Sequence, residues 1–265
     1  MIKVRSYSRP QCAVFFGAVF SLAVAASAAA LADSPLPAPS ADPHDISGVW
    51  KGATMREIGR MGMWRPVEGG EPPFTPAGEA LYKKRRDADK ATHPFHPLGT
   101  ECAPLTFPGT SFGNYQIIQT PGQVTVLVEN NTHEIHVIHM NGKHPENVPA
   151  TFTGHSIGHW EGDTLVIDTV GFHEDRWFDY TGTPAGSQLH IIERIKKINI
   201  AGKTGLEAMV TIIDPENYTR PWTLRRVSHW SPGEGLQEVV CEGDLDKVRP
   251  TYIFDKTVPG VVENP

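Results

Sequence analysis

From Asn114 to Trp230, polar and apolar residues alternate in short β-branched and aromatic runs, broken by Gly, Asn, Asp and Pro. A period of two is the pattern of half-buried antiparallel strands. It predicts strands near 115–119, 123–129, 134–140, 153–160, 163–169, 188–198, 205–213, 220–230 and 236–242, with Trp50 on an earlier one. About ten strands in sequence order, with mostly short gaps, leave edges that a barrel or a sandwich would hide. One helix is predicted from Thr75 to about Lys90, with Thr75 as N-cap, Pro76 at the first helical position, and an apolar patch at Leu81 and Tyr82. Its Lys83-Lys84-Arg85-Arg86 run reads as a solvated face near the end where the helix dipole favours cations. The fold class is all-β: an antiparallel meander closing into a barrel or sandwich, with one short N-terminal helix.

The first 32 residues follow another pattern. Lys3, Arg5 and Arg9 precede an apolar run from Cys12 to Leu31, and Ala30-Leu31-Ala32 stands before Asp33. This is the layout of a cleavable secretory signal cut after Ala32; a membrane anchor is the alternative. The expectation is an exported protein, periplasmic or secreted. Residues 33–45 (DSPLPAPSADPHD) read as a flexible lead-in, and a single domain is expected over 46–265. Loss of residues 1–32 moves the formal charge from −6 to −9, which disfavours nucleic acid and anionic membrane as partners. Cys102 and Cys241 remain in the mature chain. An oxidising compartment favours a disulfide between them, and two separate buried thiols are the other reading.

Gly48-Val49-Trp50 resembles the G-x-W that opens the first strand of lipocalins. The resemblance implies a barrel with an interior ligand cavity. The stretch Gly154-His155-Ser156-Ile157-Gly158-His159-Trp160-Glu161-Gly162-Asp163-Thr164-Leu165-Val166-Ile167-Asp168-Thr169-Val170-Gly171-Phe172 is similar to a family of exported bacterial proteins of uncharacterised activity. Asn141-Gly142-Lys143-His144-Pro145, Leu189-His190-Ile191-Ile192-Glu193-Arg194 and Pro221-Trp222-Thr223 are similar to the same family. That resemblance assigns no reaction.

Within this signature, Glu161-Gly162 reads as a two-residue hairpin turn. Positions summing to 323 then face each other, so His155 stands opposite Asp168. His155, Ile157, His159, Thr164, Val166 and Asp168 share one side, a mixture suited to a cavity lining. A carboxylate beside an imidazole fixes its tautomer and raises its basicity, as a general base requires. His155 is the first catalytic candidate and Asp168 its orienter; a solvated cross-strand pair is the plainer account. His144, on its own loop, is a further catalytic candidate, and His159 and His190 are candidate ligand contacts.

All twelve histidines lie after residue 32, which invites a metal reading. On a strand only i, i+2 neighbours share an ion, so Glu134 with His136 and His159 with Glu161 have the right spacing, whereas His155 and His159 do not. No H-E-x-x-H motif supports a metal, and scattered surface or core histidines are the competing account. No cofactor is predicted, with a divalent metal left open.

Glu193 shares a strand face with Leu189, Ile191 and Ile195. A carboxylate there either pairs with a buried cation, Arg225 or Arg226, or has a raised pKa suited to acid chemistry. Trp177, Phe178, Tyr180, Trp222 and Trp230 line a ligand pocket or pack the core. The mature chain has no nucleophile elbow, phosphate loop, dinucleotide fingerprint or C-x-x-C. The leading functional expectation is a cofactor-free lyase, isomerase or hydrolase with a His/carboxylate site in a barrel cavity. The alternatives are a lipocalin-like binder of apolar ligands, which would keep its histidines outside an apolar cavity, and a metalloprotein.

Overall fold

A computed structural model describes residues 36–52, 65–92, 113–129, 134–174 and 182–237, apart from the side chains of 87–92. The expected signal, Cys102, Cys241, Trp177, Phe178, Tyr180 and nearly all of the expected strand at 236–242 lie outside the described residues. The strands are β1 (Gly48–Lys51), β2 (Asn114–Thr120), β3 (Gln123–Val128), β4 (Ile135–Met140), β5 (His155–Glu161), β6 (Thr164–Val170), β7 (His190–Ile200), β8 (Lys203–Ile213) and β9 (Trp222–Trp230). They pair in sequence order, and β9 returns to β1 to close a barrel. Barrel closure removes the two open edges that the sequence pattern left to be hidden.

One neighbouring pair breaks the meander. Directions cannot alternate around a closed ring of nine strands, so a parallel pair is unavoidable, and it is β4 with β5. Parallel neighbours cannot be joined by a tight turn and need a crossover of about a dozen residues or more. Residues 141–154 are that crossover.

The strands bury alternate residues, as the sequence pattern requires. Trp50, Tyr115, Ile117, Leu165, Ile191, Val210 and Trp222 fill the interior. Trp50 of the G-x-W stretch is fully buried, donates its Nε1–H to the Ile46 carbonyl at 2.9 Å, and meets Trp230 edge-on at 5.0 Å. The helix α1 (Pro76–Thr92) starts where its cap predicts, with the Gly78 amide donating to Thr75 Oγ1 at 3.0 Å. Tyr82 docks it by stacking on Phe74, which stacks in turn on Tyr218. On its basic run, Lys83 pairs with Glu79 and Arg86 lies over the Tyr82 ring.

The lead-in is a correction. Residues 40–46 are tied down rather than loose: Lys197 Nζ donates to the Ser40 and Asp42 carbonyls at 2.7 Å each. Gln119 receives the Ile46 amide at 2.6 Å and donates to the His44 carbonyl at 2.9 Å. His44 also bonds the Gly162 carbonyl and packs on Trp160. Its Pro- and Ser-rich composition lacks apolar periodicity, but it is the backbone carbonyls that are held, and composition does not report on those.

Gly154 closes the crossover at φ +71°, and a Cβ there would lie 2.8 Å from Thr169 Cγ2 and from the Val170 carbonyl oxygen. Gly154→Ala therefore combines left-handed backbone cost with overpacking, and is expected to cost about 1–3 kcal/mol. A urea-unfolding midpoint unchanged from wild type would contradict this.

Candidate functional site

The β5–β6 hairpin has a different register from the one expected. Glu161 pairs with Thr164, His155 with Val170, and Ile157 with Asp168, so Gly162-Asp163 form the turn. Gly162 has φ +54° and stands at the first central position, where a II′ turn takes its glycine. The expected turn had glycine second, and its direct His155–Asp168 pairing is overturned. A slip of two leaves every side chain on its expected face. That face is the outer wall, which corrects the barrel-cavity lining: Ser156, Leu165, Ile167 and Thr169 point inward, while His155, Ile157 and Asp168 point out.

On the outer wall, His139, Ile157, Asp168 and Ile192 follow one another across β4 to β7. His155 and Val170 begin the adjacent row. The crossover then folds over these rows. It is pinned at one end by the Asn141 amide donating to the Gly158 carbonyl at 2.7 Å. At the other end, Thr151 accepts the His173 amide at 2.8 Å and donates its own to the Gly171 carbonyl at 3.0 Å.

His144 is thereby placed between the two residues that the register separates. Its Nδ1 lies 2.8 Å from His155 Nδ1 and its Nε2 lies 3.2 Å from Asp168 Oδ1. His190, at the start of β7, brings its Nε2 to 2.8 Å from the same oxygen. His139 stacks on the His155 ring at 5.3 Å. Four histidines and one aspartate from four strands and the crossover thus form one cluster. Asp168 and His190 are about one-third exposed and His144 about one-fifth, so the cluster is open to a small molecule yet partly shielded.

The hydrogen-bond chemistry leaves little freedom. A carboxylate only accepts, so His144 must donate Nε2–H to Asp168. With His144 neutral, its Nδ1 is a lone pair, His155 must donate Nδ1–H to it, and His155 Nε2 is left bare. Burial, followed by the neighbouring His144 and His139 rings, lowers the His155 pKa from its usual 6.5 and favours this neutral form.

The remaining expected site residues fall elsewhere. His159 is exposed and bonds Glu161 at 3.1 Å, in a surface network that includes Arg194. Glu193 points into the barrel, where burial pushes its carboxyl up to about 7 against the pull of Arg226. Arg226, and not Arg225, is its cation: Arg225 pairs with Glu207 on the outer surface. Trp222 is buried in the core against Tyr218. Glu134 and His136 are buried. Among the described residues no group of three or more His, Cys, Asp or Glu side chains is placed to hold a metal ion.

Sequence reasoning did not single out His139 as a site residue, nor bring His144 and His190 to Asp168. The sequence pattern, which predicts about ten strands, carried no signal for this; the nine strands of the closed ring require a parallel pair, and its crossover brings Asn141-Gly142-Lys143-His144-Pro145 back over the wall. No protein-family model, curated protein or solved structure matches the chain, so its chemistry is read from the residues themselves.

Proposed function

We propose that this protein is an exported small-molecule enzyme in which His155 is a general base, backed by His144 and Asp168. The supporting observation is the hydrogen-bonded chain from Asp168 Oδ1 through His144 to His155. When His155 Nε2 takes a substrate proton, His155 Nδ1–H passes to His144 Nδ1. The positive charge then rests on His144, beside the Asp168 carboxylate. Asp168 thus orients the relay and offsets the charge that develops during proton abstraction. The reaction class is elimination, isomerisation or hydrolysis without an organic cofactor.

A screen of small carbonyl compounds, hydroxy acids and esters, followed by NMR, tests the proposal. A turnover is expected that falls about 10²- to 10⁴-fold in His155→Gln, with the melting temperature unchanged. A substrate converted at full rate by His155→Gln would remove His155 from the chemistry.

A second reading, a lipocalin-like binder, is favoured by the placement of His139, His155, His159 and His190 outside a mainly apolar interior. It predicts that an apolar ligand quenches tryptophan fluorescence equally in wild type and His155→Gln.

A further inference from the structure

The relay uses one side of Asp168. The other side is occupied by His190, whose Nε2 bonds the same Oδ1 that receives His144. The hydrogen-bonded chain therefore has two free ends, His155 Nε2 and His190 Nδ1. The register sets the two residues that carry these ends in one row of the wall. His155 pairs with Val170 on β6, and the β6–β7 ladder ends at Thr169 with Ile191, so its next step sets Val170 beside His190. The two imidazoles thus flank half-buried Val170, two strand spacings or ~10 Å apart at their Cα atoms. On its far side His190 pairs with Ile213 of β8, so Asp168 is the charged group that holds its ring.

Resting on the relay reading, we infer that His190 is the acid of the same site, and that the substrate is a small carbonyl compound enolised between His155 and His190. His190 keeps its Nε2–H on Asp168, so any proton it transfers is the one on Nδ1. His155 Nε2 takes the proton from the carbon next to the carbonyl, and the C–H electron pair becomes the enol double bond. The carbonyl π pair moves onto oxygen, which receives the Nδ1 proton of the His190 imidazolium. His155 passes its Nδ1 proton to His144, so the positive charge leaves His190 and appears on His144.

Both cationic rings bond the same Asp168 oxygen, which is why one carboxylate can serve both states. Two positive rings at once would leave one of them unmatched, whereas one positive ring is offset at every stage. The same enol precedes either a proton shift or loss of a group from the next carbon. The inference therefore selects isomerisation and elimination over hydrolysis.

Nitrogen-15 NMR of the histidine rings in the full chain, between pH 5 and 8, tests this without a substrate. The expected result is a pH range in which His155 Nε2 is bare while both His190 nitrogens carry protons. A bare His190 Nδ1 wherever His155 Nε2 is bare would overturn the inference and leave the relay standing. A protonated His155 Nε2 with a bare Nδ1 across the range would remove the relay itself. In His190→Gln the amide still donates to Asp168 but brings no charge. His144 is then expected to take up its proton at higher pH than in wild type, and an unmoved His144 titration would count against a shared charge.

Discussion

Asp168→Asn is expected to lower turnover by on the order of 10³-fold, through kcat rather than KM. The side chain keeps its shape and its acceptor oxygen, so both imidazoles can still donate to it. What disappears is the negative charge that offsets whichever ring is positive. During the step the positive charge passes from His190 to His144, and without the carboxylate neither ring is stabilised in its positive form, so the loss falls on the chemical step. Folding should hardly change, because Asp168 is about one-third exposed and its ion pairs are partly solvated. Wild-type activity should persist below pH 6.5, since burial and the neighbouring rings lower the His155 pKa and keep it unprotonated into that range. His159→Gln is the control: its ring bonds Glu161 outside the cluster, and activity should match wild type. Steady-state kinetics of the three proteins across pH 5 to 8 measure these effects. Full kcat in Asp168→Asn would show that the carboxylate has no part in the reaction.

The barrel was legible because strand alternation is local. Each of β2 to β9 follows from its own run of residues, and closure follows from the need to hide two edges. The face of each β5 and β6 residue was legible too, since even a register error of two leaves inward and outward sets unchanged. Two further facts were not local. Whether Gly162 stands first or second in its turn sets the register, and the dipeptide alone fits both. Which side of the wall is the interior depends on closure: Glu193 goes inward with Ile191 and Ile195, while Asp168 goes outward with Ile157 beside it. His144 was the hardest to place, because it belongs to no periodic element. Only the parity of a nine-stranded ring explains why its loop must travel back along the wall.

Arg226→Leu is expected to destabilise the protein by about 3–5 kcal/mol at pH 8, and by about 1 kcal/mol less at pH 5. Both members of the Glu193–Arg226 pair are buried, and Glu193 Oε1 receives no hydrogen bond. Tyr115, whose hydroxyl bonds Ser228 and is pushed above the usual phenol range by burial, adds a polar neighbour without a charge. Burial raises the Glu193 pKa from 4.5 to about 7 and lowers Arg226 to about 9, which leaves Arg226 positive at neutral pH. Between pH 4.5 and 7 the folded protein therefore holds a proton on Glu193 that the unfolded chain has lost. Wild-type stability should fall across that window, by about 3 kcal/mol in all, and this contribution should level off above pH 7. In Arg226→Leu the attraction that limits the shift is gone, so the Glu193 pKa rises further and the fall continues beyond pH 7. Glu193→Gln should remove this fall, and Glu193→Leu with Arg226→Leu should recover most of the stability lost by the single change, because no lone charge stays buried. Urea-unfolding midpoints of the three variants and wild type at pH 5, 6, 7 and 8 read these differences directly. If wild type and Glu193→Gln have the same slope with pH, Glu193 is not the group that titrates in the barrel.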